Sequence, residues 1–162
     1  MKTAFKKSLI VMFLFAAIGC WSISQAAGLP IVHDFTVEAK DAQKRQIPIL
    51  VLFMEHDCEY CETALEDFLL PMQRDPEYAE KVILRQIDIN SGDKLIDFGG
   101  KATTNKKFSG RHKVWGVPHV MLFDSNGQVL TSIEGLLTVD FYYHFLVEAI
   151  DKSLEKIKAT KH

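Results

Sequence analysis

Cys58 and Cys61 stand three positions apart, directly after the apolar run Ile49-Leu50-Val51-Leu52-Phe53-Met54 and directly before a helical pattern. If Cys58 occupies the first turn of that helix, the unpaired backbone N–H groups there favour its thiolate, the nucleophilic form of the side chain. Cys61 then lies almost one turn along. From there it can attack a mixed disulfide formed at Cys58 and release the product. Metal sites use the same thiol spacing, and His56 and His119 supply the imidazoles for a two-thiolate, two-imidazole set. The redox reading explains both cysteines without a metal, so none is assigned. A non-enzymatic binding or chaperone module, using the surface around Trp115, Val117 and Pro118, is the reading from a different class; replacing Cys58 with serine separates it from an enzyme.

The elements that must position this pair follow in order. Ile31 to Phe35 forms a short strand or arm, and Thr36 to Arg45 a polar helix. The run Ile49–Met54, short, continuous and bounded by Pro48, reads as a buried central strand. In the cysteine helix Ala64, Leu65, Phe68 and Leu69 share one face, and Pro71 ends or kinks it. Asp75-Pro76 reads as an N-cap followed by proline at the first helical position. Val82 to Ile89 is a second strand, parallel to the first if the two share a sheet. The stretch from Asn90 to Lys113 is long for a connection, so local structure is expected there, with Asp97-Phe98-Gly99-Gly100 as a turn and a helix over Thr104 to His112. Val120 to Phe123 and Gln128 to Ile133 flank Asp124-Ser125-Asn126-Gly127 as a hairpin. The tail from Thr138 to Lys158 is an amphipathic helix with Phe141, Phe145, Ile150, Leu154 and Ile157 on its packed stripe. His33 and His144 are read as surface residues.

The 162-residue chain has enough length for one domain with a core, and its 48% hydrophobic and 25% charged residues describe an ordinary globular protein. Lys2, Lys6 and Lys7 precede the apolar run from Leu9 to Ile18, and no acid occurs before Asp34. This is the pattern of a secretory signal, and the run is shorter than the roughly 20 residues of a membrane span. Two endings compete: cleavage after Ala26, giving a signal peptide over 1–26 and a domain over 27–162, or a lipoprotein box that would lipidate Cys20. The first is preferred, because Ala17 stands where such a box usually has leucine. Loss of the three leader lysines moves the formal charge from -2 to about -5. The basic residues Lys101, Lys106, Lys107, Arg111 and Lys113 lack the aromatic interleaving of a nucleic-acid surface, so no nucleic-acid partner is expected. With Cys20 cleaved or lipidated, only one thiol pair remains, and an exported domain keeping a single Cys-x-x-Cys keeps it for chemistry.

Over residues 47 to 157 the chain resembles the thioredoxin family. The resemblance rests on Ile49 to Phe53 as central strand, Cys58-Glu59-Tyr60-Cys61 as redox motif, Val117-Pro118 as cis-proline site and Asp124 to Leu130 as hairpin. Within the family, the Cys-x-Tyr-Cys form, the insert holding Phe98-Gly99-Gly100-Lys101 and the leader look like the exported SoxW-type proteins. The resemblance implies an α/β thioredoxin-like fold, a central mixed sheet flanked by helices with a longer insert before the cis-proline strand. It also implies protein disulfides or dithiols as substrates, no cofactor, a periplasmic location and a membrane electron donor. Cys58 would attack and Cys61 resolve, with Val117, Pro118, Tyr60 and Trp115 meeting the substrate. Three departures matter. Leu52 replaces a buried acid of the central strand, which hands proton management to Glu55, His56 or water. Asp57 and Glu59 flank Cys58, and negative charge disfavours a thiolate. His119 follows the proline where threonine is common. A disfavoured thiolate leaves the reduced form less stabilised, so a reductase is expected ahead of an oxidase or isomerase on the same scaffold.

Overall fold

The computed structural model describes residues 28–136 and 138–160. The expected leader over 1–26, with Cys20, therefore lies outside the described residues, as does His162.

A four-stranded sheet holds the centre. Strands β1 (Ile49–Met54), β2 (Ile83–Asp88), β5 (His119–Phe123) and β6 (Val129–Glu134) lie in the order β2-β1-β5-β6. β1 pairs in parallel with β2 and antiparallel with β5, and β5 pairs antiparallel with β6. Residues 49 to 53 of β1 are completely buried, which is why that strand reads as a continuous apolar run. Its alternating side chains feed two cores. Leu50 and Leu52 pack with Val120, Leu122, Leu65 and Tyr142 on one face, while Ile49, Val51 and Phe53 pack with Phe35, Phe108 and Phe123 on the other.

An arm and a helix precede the sheet. Val32 N–H donates to the Gln86 carbonyl, and Gln86 N–H to that of Pro30. Ile31 thus makes a parallel bridge to the outer edge of β2, so the expected short strand is an arm that covers the sheet edge. Asp34 caps α1 (Phe35–Arg45), its Oδ1 accepting from Thr36 N–H at 2.8 Å. His33 is exposed, as expected.

After β1 the chain runs through α2 (Glu59–Thr63), a π-helical stretch (Ala64–Leu69) and α3 (Leu70–Arg74). The helix does not end at Pro71. The wide turn ahead of Pro71, in which Leu70 N–H donates to Leu65 O, makes room for the ring against the preceding carbonyls, and helix continues to Arg74. Asp75 caps α4 (Pro76–Ala79), its Oδ1 accepting from Glu77 N–H at 2.9 Å.

The insert folds locally. Strands β3 (Lys94–Ile96) and β4 (Ala102–Thr104) form a two-stranded ladder, and α5 (Asn105–Arg111) follows. The turn between the strands is built on Asp97, whose Oδ1 accepts from Gly99 N–H at 3.0 Å and Lys101 N–H at 2.9 Å, while Oδ2 pairs with Arg111 at 3.0 Å. Phe98 stacks on Phe35 with centroids 4.3 Å apart, tying the insert to α1. In the β5–β6 turn Asp124 Oδ1 accepts from Asn126 and Gln128, and Gly127 sits at φ 81°. A Cβ there would lie 2.6 Å from the Phe98 ring, so glycine is required for space as well as for the backbone.

The terminal helix α6 (Val139–Ala159) keeps Ile150 and Leu154 of the expected stripe against the core, but not the aromatic residues at its start. Tyr142, Leu146, Ala149, Ile150 and Ser153 are buried, whereas Phe141 and Phe145 are 59% and 41% exposed. Ser153 fits the interior because its hydroxyl meets Thr131 of β6 at 2.9 Å and donates to Ala149 O at 2.7 Å. Among the described residues, no helix is long and apolar enough to cross a membrane.

Candidate active site

The cysteine pair sits beyond the C-terminal end of β1. The chain leaves Met54, passes Asp57 in the left-handed region at φ 58°, and enters α2 with Cys58 as N-cap. Cys58 carbonyl accepts from Cys61 N–H at 2.9 Å and Glu62 N–H at 3.0 Å, and its Sγ accepts from Cys61 N–H at 3.2 Å. The sulfur therefore faces the donor end of the helix, where developing negative charge is favoured. Cys58 and Cys61 are joined as a disulfide, with Cα atoms 5.2 Å apart. Cys61 is completely buried and Cys58 half-buried, an asymmetry that leaves one sulfur open to a partner.

Sheet register brings a second element to the same end. Phe53, near the end of β1, pairs with His119, the first residue of β5, so Val117 and Pro118 lie at the strand end from which the cysteine loop departs. The Val117–Pro118 peptide is cis, and Pro118 O accepts from Gly135 N–H at 2.8 Å. Tyr60 and Trp115 are 63% and 80% exposed, unusually open for large aromatic groups. A recess of about 260 Å³ runs beside Trp115, lined by Val117, His119 and Glu134.

His119, the residue after the proline, is turned into the interior. It is 4% exposed, its Nε2 is 2.8 Å from Ser132 Oγ, and the Phe53 ring meets it edge-on. Burial lowers its pKa below the usual histidine value, with Glu134 opposing weakly. Its Nε2 is thus engaged on β6. Among the described residues, no group of three or more His, Cys, Asp or Glu is placed to hold a metal ion.

Leu52 is completely buried, as expected of the position that lacks an acid. Among the described residues, the buried polar side chains are Asp97, Asn105, Ser109, His119 and Ser153, and the only acid among these, Asp97, is committed to its own turn. Glu55 is half-buried and His56 exposed, and both line a recess of about 270 Å³. Sequence reasoning missed the rest of that recess. Asp88 from the end of β2, and Asp93 and Asn105 from the insert, close it. The length of the insert was the available signal, but nothing in it said which residues would reach the site.

The family model described as a thioredoxin-like domain matches residues 35–150. No curated protein matches the chain. Among solved structures, mitochondrial thioredoxin 3 from Saccharomyces cerevisiae in its oxidized form is 14% identical, with 76% of this chain and 93% of that one covered at a TM-score of 0.51. The short form of thioredoxin F from spinach chloroplast is 17% identical, with 80% and 97% covered and the same TM-score of 0.51. At these identities the likeness is one of fold.

Proposed function

The chain belongs to the thioredoxin-like domain family and is a thiol-disulfide oxidoreductase, and from that premise we propose that it is an exported reductase of protein disulfides, of the SoxW type, working through Cys58 and Cys61. The observation that carries this reading is the pair itself: one sulfur half-open at a helix N-terminus, the other buried one turn behind it.

The electron balance is simple. Cys58 thiolate attacks one sulfur of the client disulfide, the client S–S bond breaks, and its other sulfur leaves as a thiolate that takes a proton. Cys61 loses its proton and attacks Cys58 Sγ. The mixed disulfide breaks, the Cys58–Cys61 disulfide forms, and the second client thiol departs. Two electrons pass to the client. Val117, half-buried ahead of the buried Pro118, supplies the backbone edge for the client segment, and Tyr60 and Trp115 supply apolar area beside it. Glu55, His56 or water handles the Cys61 proton. A membrane carrier of reducing equivalents restores the dithiol, and the basic, apolar leader pattern supports delivery to the periplasm.

Reduction of insulin by the dithiol, with equilibration against glutathione, tests the reading. Turnover that is lost in Cys58→Ser and a potential well below that of strong oxidants supports it. A potential near the roughly -120 mV of the most oxidising members of this fold would reverse the direction.

A further inference from the structure

The recess that begins at Glu55 lies three residues from Cys58, which along the chain spans at most about 10 Å. Its chemistry is one-sided. Glu55, Asp88 and Asp93 bring three carboxylates against the single imidazole of His56, and neither lysine nor arginine is among the residues that line it. Asn105 adds a second, independent mark. It is 2% exposed, it lines the same recess, and its Oδ1 is closed off with no hydrogen-bond partner. Its backbone is already used, with the N–H donating to Asp93 O at 3.1 Å, so the idle group is the side-chain acceptor. A buried acceptor without a donor is destabilising, and a ligand that brings a donor recovers that penalty. Met54 and Ile31 give the recess an apolar wall suited to a hydrocarbon stem.

We propose that this recess takes the arginine or lysine side chain of a client protein, at a residue within about three positions of the client cysteine. The cationic head meets the carboxylates and Asn105 Oδ1, and the stem lies along Met54. This rests on the reading of the chain as a reductase of protein disulfides and adds a rule for which disulfides it prefers.

Two synthetic peptides test it, differing only in arginine or glutamate two positions from a cysteine capped as its thionitrobenzoate mixed disulfide. The reduced protein should cleave the arginine peptide about tenfold more efficiently, through KM, which corresponds to about 1.4 kcal/mol. Asp88→Asn with Asp93→Asn should bring that ratio to about twofold or less, and rising salt should narrow it in the unmodified protein. Binding of the same peptides with serine in place of cysteine, read by fluorescence polarisation, tests the recess without turnover. Equal cleavage and equal binding of the two peptides would overturn the proposal, as would a preference that survives the double substitution. Saturable binding of calcium or magnesium alone, lost in that variant, would assign the carboxylates to a cation and overturn it too. Selective binding without cleavage of either peptide would uphold the recess and sink the reductase reading.

Discussion

Neutralising Asp57 and Glu59 together should make the protein a weaker reductant. Both carboxylates are exposed and flank Cys58 on either side. The substitutions suit the backbone. Asp57 has φ 58°, a region in which asparagine is enriched, so Asp57→Asn changes charge without adding strain. Glu59 is the first residue of α2, and Glu59→Gln costs the helix end about 0.3–1 kcal/mol of dipole interaction, a loss that urea unfolding reads separately. Exposed charge pairs are worth about 0.2–1 kcal/mol each, so removing two repulsions from the Cys58 thiolate stabilises the reduced form by about 0.5–2 kcal/mol. For a two-electron couple this raises the potential by about 10–40 mV. Equilibration with glutathione at fixed ionic strength measures the shift. Glu66→Gln, an exposed carboxylate further along the same helix, serves as control and should move the potential by no more than about 5 mV. Salt should carry the unmodified protein part of the way, because the Debye length falls from about 10 Å at 0.1 M to about 3 Å at 1 M. A double variant whose potential is unchanged or more reducing would refute the argument that the flanking acids set the direction.

Three further outcomes follow from the packing and the burial. Tyr142 hydroxyl is buried without a hydrogen-bond partner, so Tyr142→Phe should raise the urea midpoint at unchanged slope, by about 1 kcal/mol in stability; a clear loss would mean that the hydroxyl is satisfied in solution. Gly127→Ala should cost at least about 1–3 kcal/mol, because the added Cβ strikes the Phe98 ring at a positive φ, and thermal unfolding that is unaltered would contradict the close approach. Burial lowers the pKa values of His112 and His119, so between the unfolded value of about 6.5 and the lower folded ones the unfolded chain binds more protons. Stability should therefore fall as pH drops through that window, and His119→Asn should flatten the slope of denaturant stability against pH; an unchanged slope would show that His119 is not kept neutral.

The parts of the fold that were legible share a physical basis in local sequence. β1 announced itself because a strand covered on both faces needs apolar side chains at every position. The Asn126-Gly127 turn and the Asp75-Pro76 cap were legible because those residues hold their own backbone. The rest depended on partners far away in the chain. β3 and β4 are three residues each, fixed by the Asp97 turn and by a bridge from Ile96 to Asp34. On α6 the aromatic residues suggested one face, but the face that packs is set by what it meets, including a threonine on β6 that receives Ser153. His119 looked like an ordinary polar residue, and only Ser132 across the hairpin explains its burial. Cys58, Cys61, Val117 and Pro118 were visible in sequence as candidates, while Asp88, Asp93 and Asn105 reach the recess beside Glu55 through folding alone.

The π-helical stretch behind the cysteines has a consequence for how the chain can vary. A wide turn holds one residue more than the α-helix around it, which changes the rotational phase of everything that follows. Ahead of it Cys61 is buried, within it Ala64, Leu65 and Leu69 are, and after it Leu70 and Met72 are. Deleting one residue between Ala64 and Leu69 would restore regular helix and turn the cysteine end by about 100° against the half anchored through Phe68 and Tyr142. The extra residue works as a phase shifter between a chemical half and a structural half. Insertions and deletions in this short segment should therefore be purged more strictly than substitutions, even though none of its six residues touches a sulfur-bearing client.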